Sequence, residues 1–224
     1  MVDGPGELAD VPDDPAVHVL KCERHCGTAT ARNIGLWATD AEWVMPLDAD
    51  DLVNPAAIAR VLDRLSPDGE SMWVGGNIEL LDGRRAPHHF SAAASIGVRE
   101  LEQAWTAPFR FYPNAIIALR RAVLAVGGWP AVPAAEDLGL ALRLNGEFRG
   151  ELIPEIFFRY RYSRRQTTRN RYLAPKVLSF DLLAQSINVQ RRALGLPEIR
   201  PPDLLASARP DGTPSYWPEM LPDT

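Results

Sequence analysis

The sequence has little cysteine. Its two thiols, Cys22 and Cys26, stand close together in "KCERHCG". With His25 they would supply three zinc ligands, but structural zinc takes four and no fourth is evident. Two cysteines on a turn read instead as free thiols of a reducing compartment. Long apolar runs are missing too. None approaches the roughly 20 residues of a membrane-spanning helix, so no membrane span is expected. Positive charge is in deficit, with 24 Lys and Arg against 29 Asp and Glu and a formal charge of −5. With a pI near 5.4, this excludes a general nucleic-acid binder, whose affinity comes from neutralised phosphates. A secretory leader is also lacking. Asp3, Glu7, Asp10, Asp13 and Asp14 occupy the stretch that should be apolar, and the expected location is the cytoplasm.

What remains is the composition of an ordinary globule, 46% hydrophobic and 24% charged. The 224 residues suffice for one sizeable core and are too few for two comfortable domains. Residues 1–16 are rich in Asp, Pro and Gly and read as loop. "AVHVL" (16–20) predicts a short strand, "GTATARNIGLWAT" a helix, and "EWVMPL" (42–47) a strand that Pro46 closes. Asn54 and Pro55 form a cap and first-turn pair for a helix reaching about Leu65. Further strands are expected over 71–81, at "NAIIAL" and at "GELIPEIFFRYRY". Helices are expected at "EDLGLALRLNG", with Gly146 just past its end, and at "APKVLSFDLLAQSINVQRRALG". Strands alternating with helices argue for an α/β sheet covered on both faces. One domain is expected over 1–195, followed by a Pro-rich tail over 196–224.

Three stretches carry chemistry. In "WVMPLDADDLVNP" an apolar run ends in Asp48, Asp50 and Asp51. Carboxylates this close resist ionising together. Either a cation sits among them, or the turn is well solvated with Asp51 or Asn54 capping the next helix. Mg²⁺ or Mn²⁺ suits such oxygens, taking one or two carboxylates plus substrate phosphates. In "GGWPAVPAAEDLGLALRL", Glu136 and Asp137 open a helix, where acids also complement the dipole. In "FRYRYSRRQTTRNR" the arginines are dense for an acidic chain. Arg161, Arg164 and Arg165 suit either a bound anion or a solvated basic face.

Together, "GTATARNIGL" (27–36), "LDADD" (47–51) and "GGWPAVPAAED" (127–137) resemble the inverting family 2 glycosyltransferases of GT-A type. The resemblance implies a GT-A-like, Rossmann-type open mixed sheet with helices on both faces. It implies transfer of a sugar, with inversion, from a nucleotide-diphosphate sugar to the hydroxyl of an unknown acceptor. A UDP-sugar is the foremost donor. By the same resemblance, Asp48, Asp50 and Asp51 face the nucleotide sugar. Asp50 and Asp48 hold the divalent ion, Mn²⁺ or Mg²⁺, and Arg32 lies beside the nucleotide. Asp137 is the general base, and Glu136 can raise its pKa. Trp129 either stacks on a sugar ring or packs in the core. Arg161 and Arg164 clamp the diphosphate, and Asp3 matches an acid that contacts base or ribose. Tyr162 and Ser163 stand where the family often carries a histidine near the metal.

The resemblance begins at "MVDGPG", which matches the end of the family's second strand. The first strand-helix unit has no counterpart, so an N-terminally truncated domain is expected. Its exposed or borrowed sheet edge would be open to homodimerisation. Two other readings stay open. A truncated, non-catalytic nucleotide-sugar-binding relative accounts for the absent unit. A haloacid-dehalogenase-like phosphatase also opens on a strand ending in DxD, with the first Asp as nucleophile. Its pattern continues Gly-Thr or Gly-Val where Asp51 and Leu52 stand here.

Overall fold

The computed structural model describes residues 2–3, 13–84, 86, 89–103, 111–161 and 173–201. Tyr162, Ser163, Arg164, Arg165 and the tail from 202 lie outside the described residues. In chain order the elements are β1 (Val2–Asp3), β2 (Lys21–Cys22), α1 (Thr28–Ala38), β3 (Trp43–Val44), β4 (Leu52–Val53), α2 (Pro55–Leu62) and β5 (Trp73–Leu80). Then come β6 (Ala94–Ile96), α3 (Glu100–Gln103), β7 (Ile116–Leu119), α4 (Arg120–Ala125), α5 (Glu136–Glu147), β8 (Gly150–Tyr160) and α6 (Leu173–Ala193).

Two long strands, β5 and β8, run parallel at the centre of an open mixed sheet. β7 lies antiparallel to β5, and β3 antiparallel to β7. On the other side of β8, β6 pairs with its first residues and β4 with its last, both antiparallel. The strand order is β3-β7-β5-β8-β4. Successive strand residues point to opposite faces, so the alternation builds two cores. Trp73, Ile116, Ala118 and Leu152 join side chains of α1, α4, α5 and α6. Val74, Ile117 and Ile153 join Val61 and Ile58 of α2. The sheet thus carries helices on both faces, as the alternating pattern predicts. Among the described residues no helix is long and apolar enough to cross a membrane.

Local chemistry explains the element limits. The Asn54 side chain accepts from Ala57 N at 3.3 Å with Pro55 next in line, so α2 starts where the cap pair predicts. Gly127 and Gly128 close α4 at φ +80° and +71°, a region that favours glycine. Along β5 and β8 the register slips on either side of Asn77. Asn77 is buried and stitches that irregularity: Nδ2 donates to Phe90 O at 2.8 Å and to Pro154 O at 3.1 Å.

Several expectations change. A first strand, β1, lies within the stretch expected to be loop, and the strand expected at 16–20 forms instead at Lys21–Cys22, because Val17 and Val19 remain 44% and 43% exposed and have no face to bury. β2 pairs in parallel with β1 in a separate two-stranded sheet. β2 thus lies apart from the six-stranded sheet that holds β3. β3 is only two residues long; Pro46, with no N–H to give, follows it closely. Gly146 lies inside the last turn of α5, which ends where Phe148 turns extended. β4, β6 and α3 are too short for any periodicity to betray them.

Candidate active site

Three segments meet at Arg32: α1, the acidic turn at Asp48 and the start of α5. α1 buries Ala31 and Leu36, and its Arg32 and Asn33 reach the 127–137 stretch. Arg32 Nη2 donates to Asp48 Oδ1 at 2.7 Å. Its Nη1 donates to Glu136 Oε1 at 2.9 Å and to Asp137 Oδ1 at 2.7 Å. The arginine side chain is 12% exposed. Burial alone would push the guanidinium pKa down, but Asp137, Asp48 and Glu136 raise it by more. One positive charge faces three carboxylates, so the cluster keeps an excess of negative potential.

Asn33 fixes the neighbouring turn. Its Nδ2 donates to Trp129 O, and its Oδ1 accepts from Trp129 N, each at 2.9 Å. A Cβ on Gly128 would come within 2.2 Å of Asn33 Oδ1, so only glycine fits beneath this clamp. The chain then enters α5 through Ala135, left-handed at φ +60°. That conformation costs a non-glycine residue about 1–2 kcal/mol. It lies just before the two acids.

Trp129 is 5% exposed and packs in the core. Its ring is covered by protein rather than open to a sugar, so the plainer of its two readings fits the packing. The polar edge still reaches the site, because the indole N–H donates to Asp137 Oδ1 at 2.9 Å. Burial pushes the Asp137 carboxyl up to about 6. Glu136 and Asp48 push the same way, while Arg32 and the indole oppose.

The three aspartates at 48–51 diverge. Asp48 is half-buried on Arg32. Asp50 is exposed, and among the described residues its carboxylate makes no hydrogen bond or ion pair. Asp51 turns inward at 7% exposure. Its Oδ1 accepts from Arg161 N at 2.8 Å, and its buried Oδ2 has no partner among the described residues. Burial pushes Asp51 up to about 6, with Asp48 and Asp50 adding to the rise. Asp51 therefore tethers the end of β8 to the acidic turn. Arg161 also donates Nε–H to Asp50 O at 2.9 Å, which places it beside the exposed carboxylate.

Asp48 and Asp50 fit a hard divalent ion. They offer unengaged carboxylate oxygens in a field with excess negative charge, and Mg²⁺ needs only one or two such groups besides phosphate and water. No three His, Cys, Asp or Glu side chains converge as a metal-holding group among the described residues. The sulfurs of Cys22 and Cys26 lie 3.6 Å apart. Asp3 lies in β1 opposite Cys22. Arg164 falls outside the described residues. Sequence reading missed Asn33 as the clamp and Asp51 as the tether. Asn is a poor helix former, and its presence inside α1 is the one signal that a partner lay beyond the helix.

Comparison with known proteins identifies the family and the fold. A family model described as "Glycosyl transferase family 2" matches residues 6–127. The succinoglycan biosynthesis protein ExoO of Rhizobium meliloti (strain 1021) is 35% identical over 81 residues, which are 36% of this chain and 23% of that protein. The crystal structure of S. aureus TarS 1-349 superposes with a TM-score of 0.55 at 15% identity, covering 75% of this chain and 46% of that one. The same protein in complex with UDP-GlcNAc gives 0.56 at 14% identity, over 75% and 49%. The chain spans less than half the length of these relatives. The fold is GT-A-like, and the phosphatase alternative falls with it. With the family model covering more than half of its residues, the chain belongs to glycosyl transferase family 2.

Proposed function

We propose that this chain transfers a sugar from a nucleotide-diphosphate sugar to an acceptor hydroxyl, with inversion and with the help of a divalent ion. The observation that carries the reading is Arg32, which bridges Asp48 on the donor side to Asp137 and Glu136 on the other. Donor anchorage and proton acceptance thereby meet at one point. Asp50 and Asp48 are the residues to hold Mn²⁺ or Mg²⁺. When bound, the ion offsets the charge that builds on the departing diphosphate. Asp137 takes the acceptor's proton as its oxygen attacks the anomeric carbon. A carboxyl near 6 is ionised at neutral pH and more basic than an ordinary one. Arg161, beside Asp50, supplies positive charge to the diphosphate. Arg164 is assigned to the same clamp on the family resemblance alone. The UDP-GlcNAc complex of TarS supports a UDP-sugar as the donor class.

Two variants test the reading. Asp50→Ala removes a metal ligand and should abolish Mn²⁺-dependent binding of UDP in calorimetry. Asp137→Asn keeps the shape of the side chain and should leave that binding intact, while transfer falls about 10²–10⁴-fold, the usual worth of general acid–base catalysis. Unchanged Mn²⁺ dependence in Asp50→Ala, or wild-type transfer by Asp137→Asn, would overturn the assignments.

A further inference from the structure

Asp137 accepts two hydrogen bonds, and both fall on Oδ1: one from Arg32 Nη1 at 2.7 Å, the other from the Trp129 indole at 2.9 Å. Among the described residues its Oδ2 accepts none. Nor does Oδ2 count among the fully buried side-chain oxygens that lack a partner among the described residues. Oδ2 is therefore not sealed in the interior, and the side chain as a whole is 18% exposed. The geometry points to Trp129 as a positioning residue, whose N–H pins Oδ1 together with Arg32 and leaves Oδ2 as the oxygen that takes the acceptor proton. This inference rests on Asp137 being the base.

The two donors are not equivalent. Arg32 is shared with Asp48 and Glu136, so its hold on Asp137 changes when Asp48 engages the donor substrate. The indole N–H can only donate, and its ring is locked in the core. The backbone of Trp129 is fixed at both N and O by Asn33. Trp129 is thus the constant partner and Arg32 the variable one. A phenylalanine would fill much of the same space and could not hold the carboxylate. In the step itself, the acceptor's proton passes to Oδ2 and its oxygen bonds to the anomeric carbon. The bond to the diphosphate breaks, and its electron pair leaves with the diphosphate. Arg32, Glu136, Asp48 and the indole are the groups that act on the Asp137 charge.

The test replaces Trp129 with benzothienylalanine, which carries sulfur in place of the indole N–H. Trp129→Phe serves as the simpler version, and the near-isosteric residue guards against a folding defect. The Asp137 carboxyl is followed by ¹³C NMR over pH 4–8 in the full chain, assigned by its loss in Asp137→Asn. In the wild type, the Trp129 indole resonance should move with pH in step with that carboxyl. Removing the N–H should raise the carboxyl midpoint by about half a unit or more. With Mn²⁺-dependent hydrolysis of UDP-GlcNAc as the turnover probe, water taking the acceptor's place and giving its proton to Oδ2, kcat should fall about 5- to 50-fold, less than the full worth of the base, while KM stays within twofold. The same midpoint in both proteins would overturn the inference. So would an unchanged kcat beside a shifted midpoint, because positioning would then have no catalytic effect. Wild-type turnover by Asp137→Asn would instead defeat the base assignment. The titration needs no turnover, so the two failures are distinguishable.

Discussion

Arg32 holds one charge against three, and that imbalance can be read from outside. Asp137 carries the strain, since burial and the neighbouring Glu136 lift its carboxyl from 3.8 to about 6. A raised folded-state value means that Asp137 stabilises the fold fully below its unfolded pKa of 3.8. The contribution is lost as pH rises through about 6. At about 1.4 kcal/mol per unit, the whole effect is at most about 3 kcal/mol. Wild-type stability should therefore decline between pH 4.5 and 7.5 in denaturant melts without divalent ions. Asp137→Asn keeps an oxygen for Arg32 and the indole but does not titrate, so its curve should be flatter by about 2 kcal/mol. Parallel curves would mean that Asp137 titrates as an ordinary carboxyl. At this scale the sequence was legible by residue type. Arg32, Asp48, Asp50, Glu136 and Asp137 stand out by kind and spacing, and Arg32 gathers three of those acids. Their bonding was not legible. Nothing in "LDADD" tells the inward Asp51 from the outward Asp50, because that choice is made by Arg161 from the end of β8, far along the chain.

The central strand pair is where element-scale packing is tightest. Gly150 opens β8 opposite Trp73 of β5, and a Cβ there would sit 2.1 Å from the buried indole ring. Gly76 stands in the same relation to Phe157, at 2.5 Å. These glycines exist because two large rings lie flat against the neighbouring backbone, a close approach that only a missing side chain permits. Gly150→Ala should cost about 2–3 kcal/mol, as overpacking of a filled core does. Gly35 makes the contrast. It lies within α1, and a Cβ there meets nothing within 4 Å. Gly35→Ala should be neutral or stabilise by up to about 1 kcal/mol, by removing backbone entropy from the unfolded chain. Chemical denaturation of both variants decides the matter, and equal signs would refute the packing account. Long strands and helices declared themselves through period and caps. The glycines in "WVGG" read only as strand residues, since the side chains they make room for, Leu152 and Phe157, lie far along the chain in β8. β4 and β6 are held by β8 rather than by their own pattern.

Across the whole molecule, α6 braces the back of the site. Its Leu183 lies against Gly139 of α5, where a Cβ would meet it at 2.8 Å. Ser179 Oγ accepts from Ala134 N at 2.9 Å, one residue before the left-handed turn into Glu136 and Asp137. The helix also docks through charge. Glu102 of α3, with a side chain only 1% exposed, sits between Arg99 and Arg191 and is hydrogen-bonded to both. The sequence marks α6 as a helix but gives no hint of this triad, because Arg99 and Glu102, at the start of α3, lie far along the chain from Arg191 of α6, and periodicity treats the two regions independently. A buried acid between two arginines costs desolvation when built, so its presence is weak support for stability. Removing one partner is different, because it strands buried positive charge and typically costs about 3–5 kcal/mol. Glu102→Gln keeps the volume and removes the charge. It should lower the denaturation midpoint and speed amide exchange in α6, while β5 and β8 keep their protection. Loss of the brace should then reach the Ala134–Ala135 turn and weaken the hold on Asp137, so that transfer falls while Mn²⁺-dependent binding of UDP at Asp48 and Asp50 persists. If α6 exchanges at its wild-type rate in Glu102→Gln, the triad does not dock the helix, and apolar packing on α5 alone must hold it.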